Sequence, residues 1–194
     1  MEYIRKAGEN YMNTVQPIRS QKQIAEIKEE LKKIDEKYYI MFVLGINTGL
    51  RVSDILTLKV SDIYKKRHIV IVEQKTRKNK RFLINDKLQA EVSEYIKKNE
   101  LSEDKYLIQS RKGDNKPVSR VQAYRVLNQA AALLGLDEIG THTMRKTFGY
   151  WHYKQNKDVA ILQEIFNHSS PSITLRYIGI NDDIKDETIK GFYL

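Results

Sequence analysis

The sequence predicts an α+β domain that is mainly helical and carries one small antiparallel β-sheet. Three observations predict it. Apolar residues recur at three- and four-residue steps through several stretches, the spacing of amphipathic helices. Ile69-Val70-Ile71-Val72 is an unbroken β-branched run, and Phe82-Leu83-Ile84 can pair with it across a basic turn. Start and stop residues (Gly49, Ser119, Gly135 and Ser170-Pro171) fall at the ends of the helical stretches.

Taken in order, residues 1–19 are polar and weakly periodic and read as a linker or N-terminal arm. From Ser20, an N-cap candidate, Ile24, Ile27, Leu31 and Ile34 mark an amphipathic helix. A second helix over Glu36 to Thr48 is apolar nearly throughout, as a buried helix is, and Gly49 fits its stop. Residues 60–84 read as strands. A helix follows over Lys87 to Lys98, then a short extended piece at Tyr106-Leu107-Ile108 and a turn at Gly113-Asp114-Asn115. Ser119 opens a helix to about Leu134. The last third is helical over Thr143 to Gln155 and Asp158 to Phe166. Ser170-Pro171 then starts a short helix that brings Tyr177 near its end. Asp182-Asp183 begins a polar tail. These boundaries give an arm (1–19), a domain (20–180) and a C-terminal tail (181–194).

The chain has 194 residues, 41% hydrophobic and 30% charged, the balance of an ordinary folded domain. Its net charge of +9 favours a polyanionic partner, because neutralising phosphates releases condensed counterions. It has no cysteine, which removes disulfides, thiolate metal sites and cysteine nucleophiles. The longest apolar run, Tyr38 to Ile46, is too short for a bilayer, and the first residues lack a signal-peptide apolar region, so no membrane association and a cytoplasmic setting are expected. His68, His142, His152 and His168 lack zinc-ligand spacing, no Gly-rich Walker loop is present, and no Gly-x-Ser-x-Gly occurs.

Four short segments carry chemistry. Thr48-Gly49-Leu50-Arg51-Val52-Ser53-Asp54 places a basic side chain just after a helix stop. Gln74-Lys75-Thr76-Arg77-Lys78-Asn79-Lys80-Arg81 is a basic turn. His142-Thr143-Met144-Arg145 sets two side chains at i and i+3, on one helix face. Phe166-Asn167-His168 precedes Thr174-Leu175-Arg176-Tyr177. Phosphodiester transfer without a metal needs these types: arginines for the charge gained by the non-bridging oxygens, a nucleophile to store the bond, and a lysine or histidine to protonate the departing oxygen. Singly, each has a bland reading. Arg51 can cap a helix end, the basic turn can be a solvated tip, either histidine can be structural, and Tyr177 is one of 12 tyrosines. Their order and spacing together argue against coincidence.

Over about residues 20 to 180 these segments resemble the catalytic domain of the tyrosine recombinases, the phage-integrase family. Arg51 matches the arginine of a threonine-glycine-leucine-arginine motif, and Lys75 best matches a lysine in a β-hairpin, with Lys78 and Lys80 as alternatives on the same turn. His142 and Arg145 match histidine-x-x-arginine, His168 a histidine after a helix, and Tyr177 the nucleophile of an arginine-tyrosine pair. The resemblance implies the family's DNA breaking-rejoining core and site-specific recombination by integration, excision or inversion. Tyr177 would attack the phosphate to leave a 3′-phosphotyrosyl bond and a free 5′ hydroxyl. Arg51 and Arg145 would stabilise the transition state, Lys75 would protonate the 5′ oxygen, His142 would assist proton transfer and His168 would bind the phosphate. Asp54, where glutamate is commoner, would orient a basic neighbour. No cofactor, metal or ATP is implied. The implied partners are double-stranded DNA, a homo-tetramer on paired sites, and an accessory DNA-bending or directionality protein; the tail either docks in trans on a neighbouring protomer or packs on its own domain.

The sequence departs from the family pattern at Phe166-Asn167, where leucine-glycine usually precedes the histidine; asparagine is physically tolerable at a left-handed helix cap. About twenty residues precede the first helix, so the family's separate clamping domain is expected to be missing, as in short relatives resembling fimbrial phase-variation invertases, or to belong to a longer parent chain. Lys65, Lys66, Arg67, Arg77, Lys78, Lys80, Arg81, Arg111, Lys112, Arg120 and Arg125 are candidate DNA-backbone contacts. The other functions compatible with the sequence are a noncatalytic DNA-binding regulator, a truncated remnant and a topoisomerase-like relaxing enzyme.

Overall fold

Helix α2 (Glu36–Thr48) is the axis of the fold. Tyr38, Ile40, Met41, Phe42, Val43 and Leu44 are all buried, so its surface has to be covered on nearly every side. Helices α1 (Gln21–Ile34), α4 (Asp86–Lys98) and α6 (Thr143–Asn156) do this, with α5 (Arg120–Ala132) against α1. The computed structural model describes residues 15–72, 79–137 and 139–193. Ser20 caps α1 by accepting from the Gln23 N–H, and Ser119 caps α5 by accepting from Gln122.

Gly49 ends α2 at φ 69°, and a β-carbon there would lie 2.4 Å from Phe148 Cδ1. The left-handed turn and the close ring both demand glycine. It leads directly into α3 (Val52–Leu56), a helix too short for its periodicity to show in the sequence.

Strands β1 (His68–Val72) and β2 (Asn79–Leu83) form a two-stranded antiparallel sheet, with Ile69 opposite Phe82 and Ile71 opposite Lys80. That register turns Ile69, Ile71 and Phe82 to the core and leaves Val70, Val72 and Leu83 exposed. The strand expectation over 60–84 is too broad. Val60–Asp62 is a 3₁₀ turn, closed by the Asp62 carboxylate on the Lys59 N–H at 2.8 Å. Tyr106–Ile108 makes one isolated bridge, Tyr106 to Lys59, and not a third strand, its Leu107 N–H donating to Leu58 O at 2.8 Å.

A second apolar cluster joins Tyr150, Leu162, Phe166, Ile178 and Ile180, and so packs α6 against α7 (Val159–Phe166), α8 (Pro171–Tyr177) and α9 (Ile180–Ile189). Where the sequence suggests a polar tail, the chain stays helical to Ile189. Val15–Arg19, the described end of the expected arm, lies against α6. Ile18 donates its N–H to Thr147 Oγ1 at 2.9 Å, and Trp151 Nε1 donates to Ile18 O at 2.9 Å.

Candidate active site

The site forms where the two apolar clusters meet, and Arg145 ties them together. Its side chain is 5% exposed. Nη1 donates to Gly49 O, at the end of α2, and Nη2 donates to Phe166 O at 3.2 Å, at the end of α7. The guanidinium also lies 4.4 Å from the Phe166 ring centroid. Burial pushes its pKa down to about 10, so it remains charged at neutral pH.

Arg51 is the N-cap residue of α3, makes no side-chain capping bond and is exposed. With Val52, Ser53, Arg120, Thr141, His142 and Arg145 it lines a cavity of about 180 Å³. Asp54 sits in the first turn of α3, its Oδ1 3.5 Å from Ser53 Oγ. His142 is the residue before α6, and its Nδ1 lies 3.4 Å from the Tyr177 hydroxyl.

His168 follows Asn167, which holds φ 57° at the C-cap of α7. The asparagine thus adopts the left-handed geometry that glycine would supply. His168 Nδ1 lies 3.0 Å from Thr174 Oγ1, and its ring stands edge-on to Tyr177 at 5.1 Å. Tyr177, the last residue of α8, is half-buried.

Burial raises the Tyr177 pKa, and the nearby Arg145 and Arg51 guanidiniums oppose that rise. Both histidines are shifted the other way. Burial comes first for each. Lys146, Arg145, Arg120 and Arg51 then depress His142, while Arg145, Arg51 and Lys80 depress His168. At neutral pH the centre therefore holds two neutral imidazoles, two guanidiniums and a protonated phenol. Such a cluster can bind a phosphate, accept the phenol proton and present the phenolate oxygen.

Five of the six expected catalytic positions therefore converge: Arg51, His142, Arg145, His168 and Tyr177. Lys75 lies outside the described residues, as do Arg77 and Lys78. Arg120 joins the same cavity. The other contact candidates are scattered. Lys65, Lys66 and Arg67 line a separate recess of about 600 Å³, and Arg81 Nη2 lies 3.1 Å from His68 Nδ1. Arg111 donates to Asp35 at 2.9 Å beside exposed Lys112, Arg125 is exposed on α5, and Lys80 reaches the end of α7. Among the described residues no group of three or more histidines and carboxylates is placed to hold a metal ion.

Three neighbours escaped sequence reasoning. Phe166 contacts the rings of His168 and Tyr177, Thr174 meets His168, and the Lys146 ammonium lies 5.2 Å from the Tyr177 ring centroid. The signals that pointed towards them were the adjacency of Lys146 to Arg145, that of Phe166 to Asn167 and His168, and the place of Thr174 in the segment that ends in Tyr177.

A fold of this kind, with a tyrosine ringed by arginines and histidines, matches known proteins. The model of the phage integrase family covers residues 19–183, and the chain belongs to that family. A probable integrase/recombinase, YoeC of Bacillus subtilis (strain 168), is 50% identical over 181 residues, spanning 93% of this chain and 98% of that protein. Tyrosine recombinase XerH of Campylobacter jejuni is 28% identical over 174 residues, 80% of this chain and 48% of that protein. The chain thus spans about half the length of that longer relative. The crystal structure of XerA recombinase superposes with a TM-score of 0.72 at 20% identity, covering 90% of this chain and 65% of that one. XerH bound to difH substrate, a pre-cleavage complex, gives 0.68 at 19%, covering 84% and 51%. At those identities the likeness establishes the fold, that of a tyrosine-recombinase catalytic domain.

Proposed function

We propose that this protein is a site-specific DNA recombinase that cuts and rejoins double-stranded DNA through a 3′-phosphotyrosyl intermediate. The observation that carries this is the convergence of Arg51, Arg145, His142 and His168 on the hydroxyl of Tyr177. Arg145 and Arg51 hold the non-bridging oxygens of the scissile phosphate and stabilise the charge they gain. Tyr177 Oη forms the new bond to phosphorus as the bond to the 5′ oxygen breaks. Neutral His142 takes the phenol proton, and Lys75 delivers a proton to the 5′ oxygen. His168 hydrogen-bonds the phosphate, and Asp54 orients the basic groups beside it. Attack by a 5′ hydroxyl of another strand reverses the step and exchanges partners, with no cofactor consumed.

DNA as substrate is supported by the net charge of +9 and by relatives crystallised on DNA, among them XerH on difH. Of the candidate backbone contacts, Arg120 lines the cavity with Arg51, His142 and Arg145. We further propose assembly as a homo-tetramer on two paired sites, with the residues beyond α9, where Phe192 and Tyr193 are exposed, as a trans-docking element, and with an accessory DNA-bending or directionality protein. The DNA substrate would be met in the cytoplasm. No described helix is long and apolar enough to cross a membrane.

Covalent trapping on nicked duplexes from the gene's genomic neighbourhood, in chelator, tests this beside Tyr177→Phe. A protease-sensitive 3′ adduct that the variant lacks is expected. Duplex binding that is equal in both proteins, with no adduct, would instead indicate a noncatalytic DNA-binding regulator. Relaxation of supercoiled DNA regardless of sequence would indicate a topoisomerase-like enzyme.

A further inference from the structure

The last carbonyls of an α-helix lack partners within the helix, and at the end of α7 every one of them is taken. His168 N–H bonds to Gln163 O at 3.0 Å and Asn167 N–H to Glu164 O at 3.1 Å. This is the crossed pair of a Schellman turn, closed by Asn167 at φ 57°. Ile165 and Phe166 remain. Arg145 donates to Phe166 O at 3.2 Å. Lys80, in β2, donates to Glu164 O at 3.1 Å and to Ile165 O at 3.4 Å. Two cations from distant parts of the chain therefore meet the negative end of one helix. The imidazole that faces Tyr177 begins two residues further on.

We propose that Lys80 is a positioning residue that fixes the end of α7 against the β-hairpin and acts on strand cleavage through His168. Resting on the tyrosine-recombinase reading of the site, it gives Lys80 a task other than gripping the DNA backbone. Its half-buried side chain supports this, because the ammonium is directed at α7 while neighbouring Arg81 is exposed. Arg145 already contributes both to the phosphate site and to the same helix end. Lys80 holds the two carbonyls just before the one that Arg145 takes, so movement of that end displaces the Arg145 anchor and His168 together.

The groups facing His168 are Arg145 from α6, Arg51 before α3, Lys80 from β2, and Tyr177 and Thr174 from α8. Burial, then Arg145, Arg51 and Lys80, hold the imidazole below its ordinary pKa. Removing the lysine charge moves it back towards that value.

The test is single-turnover adduct formation on a nicked duplex by Lys80→Met and Lys80→Arg, each made with His168 intact and with His168→Ala. Duplex affinity is titrated separately. Lys80→Met should slow cleavage about 10- to 100-fold, the scale of a misplaced catalytic group, with affinity unchanged. Lys80→Arg should keep most of the rate, and Lys80→Met should cost little once His168 is gone. Should Lys80→Met fail to fold, Lys80→Gln carries the same comparison. An equal cost in both backgrounds overturns the proposal, as does weakened duplex binding with a normal rate at saturation. Absence of any adduct from the unmodified protein overturns the recombinase reading itself and this proposal with it.

Discussion

The Nδ1 atom of His142 lies 3.4 Å from the Tyr177 hydroxyl, joining the residue before α6 to the last residue of α8. A neutral imidazole in that place can take the phenol proton. The surroundings keep it neutral: burial, then Lys146, Arg145, Arg120 and Arg51 depress its pKa, and His168 is depressed similarly.

These shifts carry a stability consequence. The unfolded chain binds protons on both histidines near the ordinary value of about 6.5, while the folded chain resists them. The folded state therefore loses stability as the pH falls below about 6.5 and through the lower folded values. Urea unfolding at about pH 7.5 and about pH 5.5 should show a larger drop for the unmodified protein than for His142→Asn combined with His168→Asn. Equal drops would mean that these histidines are not the groups responsible.

Arg145 and Arg51 should part company when fold and chemistry are measured separately. Arg145→Ala strands two carbonyls, Gly49 O and Phe166 O, at roughly 1–3 kcal/mol for each acceptor left buried and unpaired. Arg51 is exposed and caps nothing with its side chain, so Arg51→Ala should stay within about 0.5 kcal/mol of the parent. Both should abolish the covalent adduct. Arg145→Lys keeps a charge without the fork and should recover stability only in part. Matching unfolding midpoints for the two alanine variants would contradict the bridging role of Arg145.

This contrast also marks what a sequence can reveal. Helix α2 falls on the expected Glu36–Thr48, because its apolar run and Gly49 both act locally. The caps at Ser20, Ser119 and Ser170 follow from side-chain oxygens and neighbouring N–H groups. The order of Arg51, His142, Arg145, His168 and Tyr177 carried the site, through family resemblance. The partners of Arg145 and Lys80 stayed hidden, because they are backbone carbonyls and every residue has one. Helix α9 was concealed by polarity: Ile180 is buried while Ile184 and Ile189 are exposed. The packing of Ile18 depends on Thr147 and Trp151, far along the chain, and no local pattern announces it.

Gly149 offers a test of how tightly the helix that ends in Tyr177 is seated. A β-carbon there would lie 2.6 Å from Ile178 Cγ2 and 2.7 Å from Phe166 Cε2 and Cζ. Both contacts adjoin the site, since Ile178 follows Tyr177 and the Phe166 ring packs on Tyr177. Gly149→Ala should cost about 1–3 kcal/mol through overpacking. It should also slow adduct formation at saturating duplex, as Ile178 and Phe166 give way. Unchanged melting and cleavage together would show that this contact has slack to absorb a methyl group.

Arg19 supplies a prediction about local stability. Its Nε donates to Asp183 at 2.8 Å and its Nη2 to Gly179 O at 3.3 Å, with the guanidinium 5.5 Å from the Tyr150 ring centroid. Gly179 is the left-handed residue, φ 76°, that turns α8 into α9 just beyond Tyr177. Arg19 therefore pins the start of α9 to the segment before α1. The ion-paired side chains are 33% and 21% exposed, so Arg19→Ala should cost only about 1 kcal/mol of global stability. Its main effect should be local: amides of α9 exchange faster, while those of α2 keep their protection. Raising salt should loosen α9 in the unmodified protein and change little in the variant, because screening acts on a charge pair that the variant has already lost. Uniformly faster exchange would instead make Arg19 part of the global core, and unaltered α9 exchange would mean that its helix is held by Ile178 and Ile180 alone.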